Sequence, residues 1–215
     1  PAVASPVVTA DPAAGTLQLE AIGLKRGKYT FFVQATDTHG AASEAIPATV
    51  WIEPRAWDPR DAVIYQVVLD RFRGPSGPLA PPASPASRAG GTLAGLRAAV
   101  EDGEIEALGV NTLWLSPLYK NPEGEFPGTD GHAYTSYHGY WPIASRELDA
   151  RVADEAELDR FMSACHARGV RVLFDVVPNH VHEQHPWLVE HPDWFKRDCT
   201  CGQGACDWAT HIETC

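Results

Sequence analysis

The sequence predicts an α/β protein built on a parallel sheet and entered through a short all-β segment. Three observations carry that expectation. Residues 169–180, GVRVLFDVVPNH, hold a nearly unbroken apolar run of Val170, Val172, Leu173, Phe174, Val176 and Val177. Such a run suits a parallel strand covered on both faces. Residues 110–115 form a second run after a helical stretch, and a strand–helix–strand order with long connections favours parallel pairing. Residues 27–37 instead alternate, with Tyr29, Phe31, Val33 and Ala35 on one side and Thr30, Gln34 and Thr36 on the other. That is period two, the mark of a half-buried strand.

In chain order, residues 17–22 alternate weakly and are expected to be extended. Residues 38–40, Thr-His-Gly, make a turn, and 45–52 resume an extended pattern. GKYTFFVQATDTHGAAS resembles the last two strands of an immunoglobulin-like or fibronectin-like sandwich, which needs about seven strands. Residues 1–55 are therefore expected to be the C-terminal part of such a domain. Residues 62–69 are apolar with β-formers and end in Asp70-Arg71-Phe72. Residues 74–89, rich in Pro, Ser, Gly and Ala, are expected to be a flexible loop. Thr92 is placed as an N-cap of a helix carrying Leu93, Leu96, Val100, Ile105 and Leu108, broken at Asp102-Gly103 and stopped by Gly109. Ser116-Pro117 end the next strand, and 121–135 are expected to be a polar surface loop.

Tyr137-His138-Gly139-Tyr140-Trp141 packs three aromatics and a histidine into five residues. Aromatic faces stack on pyranose rings and a histidine can donate to hydroxyls; the alternative is a cluster that merely pins its own loop. Leu158, Phe161, Met162 and Cys165 then share one helical face, with Asp154 as cap and Gly169 as stop. Cys165, on that apolar face, is expected to be a buried, unreactive thiol. Asp175 interrupts the 170–177 run, and a buried carboxylate needs a partner.

The balance of 17 basic and 28 acidic residues, a net charge of −11, argues against a nucleic-acid or anionic-membrane partner and suits a neutral substrate. No apolar run is long enough for a bilayer, and Pro1 follows no basic-then-apolar leader, so a mature product or a fragment is expected. Cys199, Cys201, Cys206 and Cys215 crowd the C-terminal end, which points to local disulfides and a secreted or periplasmic location. The rival is a zinc site that adds His191 or His211, although the spacing matches no common zinc pattern.

Asp175-Val-Val-Pro-Asn179-His180 resembles the first signature region of the α-amylase superfamily, glycoside hydrolase family 13. AVIYQVVLDRF is similar to that family's first barrel strand, GVNTLWLSP to its second-strand signature, and YHGYW to a segment lining a sugar subsite. His185-Pro186-Trp187 and HPDWF at 191–195 resemble the start of the irregular domain inserted after the third strand. The resemblance implies that residues 56–180 supply the first three strands of a (β/α)8 TIM barrel and 181–215 the start of the insertion. It implies that His138, Tyr140 and His180 bind sugar on the non-reducing side of the cleaved bond, with Trp141 in the same segment. Asp175 would support the site by pairing with an Arg on the fourth strand. Asp70, with Arg71, would support it from the floor or form a simple strand-end ion pair. Asn179 would offer an oxygen to a structural calcium. One departure stands out: many relatives carry an Asp soon after this segment, where this chain has Pro142-Ile143-Ala144-Ser145-Arg146-Glu147.

Family members cleave α-glucosidic bonds by a retaining double displacement. Their nucleophile, acid and third carboxylate follow the fourth, fifth and seventh strands. The resemblance therefore places no catalytic carboxylate before Cys215 and implies an inactive fragment of an enzyme on α-glucan or maltooligosaccharide. A transglycosylase or isomerase on the same scaffold, and a non-catalytic carbohydrate-binding relative, are the alternatives. The sandwich would be a glucan-binding appendage or a spacer, and the lack of an evident exposed aromatic pair favours the spacer.

Overall fold

The computed structural model describes residues 7–20, 23–53, 57–128 and 131–196. Two antiparallel hairpins come first, β1 (Val7–Asp11) with β2 (Thr16–Glu20) and β3 (Gly27–Val33) with β4 (Ile46–Ile52). Sequence reasoning missed β1 because all five of its residues are exposed, so no buried side alternates to reveal it. In β3 the exposure does alternate, with Tyr29, Phe31 and Val33 half-buried. The strand stops at Val33, short of the expected 37. Asp37 instead organises a turn by accepting hydrogen bonds from the His39 and Ala41 N–H groups at 2.8 and 2.9 Å.

The second hairpin is seated on the α/β part. The Trp51 ring meets His166 edge-on at 5.3 Å, and Arg26 Nη2 donates to the Arg168 carbonyl at 2.6 Å. Arg171 pairs with Glu53 at 2.8 Å and lies 4.6 Å from the Trp51 ring and 3.6 Å from Trp57. Trp51 is thereby used in packing.

The α/β part contains β5 (Ile64–Val67), α1 (Leu69–Phe72), α2 (Leu93–Glu101), α3 (Glu104–Ala107) and β6 (Thr112–Leu115). The short strands β7 (Tyr119–Lys120), β8 (Phe126–Pro127), β9 (Ala133–Tyr134) and β10 (Ala144–Leu148) follow, then α4 (Glu155–Arg168), β11 (Arg171–Phe174) and α5 (Trp187–Glu190). β5, β6 and β11 form one parallel sheet in that order, with Val67, Leu115 and Phe174 side by side at their C-terminal ends. Consecutive strands joined by helical crossovers are the opening of a doubly covered or barrel sheet. Among the described residues the sheet is open, not a closed barrel. No described helix is long and apolar enough to cross a membrane.

The two longer helices, α2 and α4, form where the sequence places them, whereas α1 takes up Leu69, the expected end of the first strand, and α5 has no counterpart in the sequence reading. Thr92 and Asp154 cap α2 and α4 through the N–H groups of Gly95 and Glu157. The break after α2 is Gly103, left-handed at φ 81°, and Gly169 closes α4. Leu93, Leu96, Val100, Ile105, Leu113, Leu115, Phe161 and Cys165 make the buried core between helices and sheet. Leu108, expected with them, is 67% exposed because the chain has left the helix there. Burial pushes the Glu157 carboxyl up, but hydrogen bonds from Arg97 and Arg160 outweigh it and hold the group below its usual range.

Two expectations are corrected. The 170–177 run yields a strand of only four residues, and Leu173 and Phe174 are 46% and 42% exposed. β11 is an edge strand, and the row Gln66, Trp114, Leu173 stands exposed on the face away from the helices. Coverage of both faces is therefore not found among the described residues. The 74–89 loop is not uniformly free either. Arg71 donates to the Pro85 and Ser87 carbonyls at 2.8 and 2.7 Å, and the Thr135 N–H reaches Ala86 O at 3.0 Å.

Replacing fully buried Phe161 with Ala is expected to cost about 3–5 kcal/mol of stability. Asp154→Ala is expected to cost about 1 kcal/mol. Urea unfolding of the two variants checks both, and equal losses would contradict the core assignment.

Candidate functional site

The C-terminal ends of β5, β6 and β11 carry the polar side chains. Past β11 the chain turns at Asp175, whose N–H donates to Leu115 O at 3.1 Å and so stays docked on the sheet. The Tyr140 hydroxyl donates to Asp175 Oδ2 at 2.6 Å. His180 Nε2 donates to the Tyr140 carbonyl at 2.8 Å. Tyr140 is thus held at its side chain and its backbone by one loop. The Arg expected to pair with Asp175 belongs to the fourth strand, outside this chain; within the chain the Asp175 carboxylate is met by Tyr140.

The rest of the aromatic strip is fixed from below. The His138 ring stacks near Tyr140 at 5.8 Å and meets Trp141 edge-on at 4.7 Å. Phe126 and His182 close on Trp141 at 5.6 and 5.9 Å. His138 Nδ1 accepts the Tyr140 N–H at 3.0 Å, so in the neutral ring Nε2 carries the hydrogen. Gly139 lies at φ 85°, and a Cβ there would collide with the Pro117 carbonyl, so the tight turn within the strip requires glycine.

Asn121 sits at the centre of this foundation. It is 2% exposed, its amide donates to the Tyr119 and Gly139 carbonyls at 2.7 and 3.1 Å, and its Oδ1 accepts the Trp141 N–H at 2.8 Å. Its place in the polar stretch 121–135 predicts a surface position instead. No periodic signal marks a residue that is buried in order to bond backbone carbonyls. Asp149 accepts from Arg151 at 2.6 and 2.8 Å, and Arg151 reaches the Asn121 carbonyl at 2.7 Å. Burial pushes the Asp149 carboxyl up, but Arg151 prevails and holds it below the usual range.

Asp70 is buried beneath residues 136–139. It accepts from Arg71 at 2.8 Å and from the Ala89 and Gly90 N–H groups at 2.8 and 3.2 Å. Arg71 lies 3.8 Å from the Tyr137 ring. The Asp70–Arg71 ion pair is present, at 2.8 Å, beside Ser136, Tyr137 and Gly139. Structure therefore brings His138, Tyr140, Trp141, Asp175 and His180 together and puts Asp70 under them. Asn179, the chain neighbour of His180, is exposed. Among the described residues no three His, Cys, Asp or Glu converge on a point that could hold a metal. Cys199, Cys201, Cys206 and Cys215 lie outside the described residues. Cys165 is a buried free thiol, pushed up to about 12 by burial.

The electrostatics of the strip are neutral. Burial, with Arg88 behind it, pulls His138 down to about 4. Burial and the Asp175 contact push the Tyr140 phenol up to about 12. Near pH 7 the strip therefore presents an uncharged imidazole and an uncharged phenol.

The profile of the family "Alpha amylase, catalytic domain" matches residues 51–201. A cyclomaltodextrin glucanotransferase of Bacillus sp. (strain 1-1) is 31% identical over 66% of this chain and 20% of its own length. The periplasmic alpha-amylase of Escherichia coli is 35% identical over 58% of this chain and 20% of its own. Among solved structures, an alpha-amylase from Geobacillus thermoleovorans complexed with acarbose aligns at TM-score 0.54 and 29% identity, over 70% of this chain and 31% of that one. The chain thus spans about a fifth of the curated relatives it matches.

The depressed His138 value has a sign in stability. An unfolded chain takes up that proton near the ordinary value of 6.5 and the folded chain only near 4. Stability from this group is full above about 6.5 and is lost as pH falls through about 4. Thermal unfolding between those limits should show a pH slope that shrinks in His138→Asn. An unchanged slope would contradict the buried neutral ring.

Proposed function

Because the chain belongs to the α-amylase catalytic-domain family, we propose that it forms one wall of the sugar cleft of an α-amylase-type hydrolase acting on starch or maltooligosaccharides. The observation that carries this reading is the convergence of Tyr140, Asp175 and His180 at the C-terminal ends of the sheet, within 2.6 and 2.8 Å contacts. That end is where barrel enzymes gather their chemistry.

Each group has a task on an uncharged polyol. Asp175 holds the Tyr140 ring so that its face can stack on a pyranose. His138 offers Nε2–H as a donor because Nδ1 is occupied. His180, donating through Nε2 to the Tyr140 carbonyl, keeps Nδ1 as an acceptor for a hydroxyl. Neutral donors and acceptors bind a sugar without the cost of burying charge.

In a retaining displacement one carboxylate attacks the anomeric carbon while a protonated one gives its proton to the leaving oxygen. In this reading both groups come from outside the 215 residues, and the wall described here binds and orients. Transfer to another sugar in place of water is the second reading, favoured by the glucanotransferases among the relatives. An extracytoplasmic location goes with the reading, in keeping with the periplasmic name of one relative.

Titration of the purified chain with maltoheptaose, followed by tryptophan fluorescence, is expected to saturate. Tyr140→Ala should weaken it by about ten- to a hundredfold, the worth of a lost stacking face and its anchor. The chain alone should release no reducing sugar from starch. Affinity indifferent to Tyr140→Ala, or hydrolysis by the chain, would overturn the reading.

A further inference from the structure

No motif announces Arg88. It ends the stretch rich in Pro, Ser and Gly, yet its side chain is only 20% exposed. Three separate segments meet at its guanidinium. Nη2 donates to the carbonyl and hydroxyl of Ser136 at 3.2 and 3.1 Å. The Asp149 and Asp70 carboxylates stand farther off, at 3.5 and 3.8 Å. Ser136 is itself buried and donates to Pro122 O at 2.7 Å, directly before the aromatic strip.

The details separate this Arg from an ordinary structural ion pair. A buried Arg kept only for charge pairing places its donors on carboxylates at short range, bidentate where it can. Arg151 does so with Asp149, at 2.6 and 2.8 Å. Arg88 has its shortest contacts to the base of the strip, and its buried Nε has no partner. A buried donor left unpaired costs free energy and calls for a reason. Beside it lies a cavity of about 10 Å³ lined by Asp70, Ser136, Tyr137, Gly139 and Asp149, at the lower limit for one water.

We propose that Arg88 is a positioning residue of the sugar wall, holding residues 136–141 at the depth where His138 and Tyr140 meet a pyranose. This rests on the functional reading above. Arg88 acts through Ser136 on the strip and touches no sugar. Its charge also faces the His138 ring from behind and disfavours the imidazolium. The other titratable groups around that ring are Tyr137 and Tyr140, with Asp175 and His180 beyond Tyr140 and His182 beyond Trp141.

The test compares the chain with Arg88→Met and Arg88→Lys by two readouts, the NMR titration of His138 and the affinity for maltoheptaose. In Arg88→Met the His138 midpoint should rise from about 4 toward, but not to, 6.5, since burial remains. Affinity should fall about tenfold. If the unaltered chain binds no maltoheptaose, the sugar reading falls, and the positioning role is then read from the backbone NMR shifts of residues 136–141, which Arg88→Met must move and Arg88→Lys must move less. If Arg88→Met leaves both midpoint and affinity unchanged, the proposal is overturned. Should Arg88→Met fail to fold, Arg88→Lys decides. It keeps the charge but not the forked reach to Ser136, so the midpoint stays low and affinity drops severalfold. Full affinity in Arg88→Lys would overturn the proposal.

Discussion

The hydrogen bond from the Tyr140 hydroxyl to Asp175, 2.6 Å long, joins positions 35 residues apart. One end is on a loop that leaves the sheet after β6, the other on the turn that ends β11. Because the Asp175 N–H is itself bonded to Leu115, the loop is referenced to the sheet and not to solvent. The arrangement of the strip follows. Asn121 ties the Gly139 carbonyl and Trp141 N–H from one side, and His180 takes the Tyr140 carbonyl from the other. Asp175 is the first of several ties to the segment after β11, with His180 on the Tyr140 carbonyl and the His182 N–H on the Pro142 carbonyl at 3.0 Å adding to it.

The physical character of the wall comes from layering. Apart from the Asp175 carboxylate that holds Tyr140, charge lies beneath it, where Asp70, Arg71, Arg88, Asp149 and Arg151 are grouped. The surface above is a set of rings with neutral polar edges. Buried ions satisfied mostly by one another add little net stability, but they hold geometry that a purely apolar base would leave free to repack. A fixed, neutral, aromatic surface is what recognition of an uncharged ring with many hydroxyls requires.

Much of the scaffold was legible because burial leaves a period. The face of Leu158, Phe161, Met162 and Cys165 sits on the core as its spacing required, and Asp154 and Gly169 bound its helix. The motif YHGYW also announced itself by aromatic density. What escaped were residues whose role is to bond backbone atoms at a distance. Asn121 and Arg88 lie in stretches of loop composition, and nothing in one dimension says which carbonyls they will meet. β1 escaped for the opposite reason, having no buried side. The 170–177 run misled because apolar content reports a capacity for burial, whereas β11 stands at the edge of the sheet.

The measurement that tests this account most directly is a double-mutant cycle on stability between Tyr140→Phe and Asp175→Ala. A hydrogen bond to a carboxylate that anchors the loop predicts a coupling of about 1–2 kcal/mol, with the second substitution costing little once the first is made. Additive losses, within about 0.3 kcal/mol, would show that the two side chains do not hold each other and that the wall is positioned by something else.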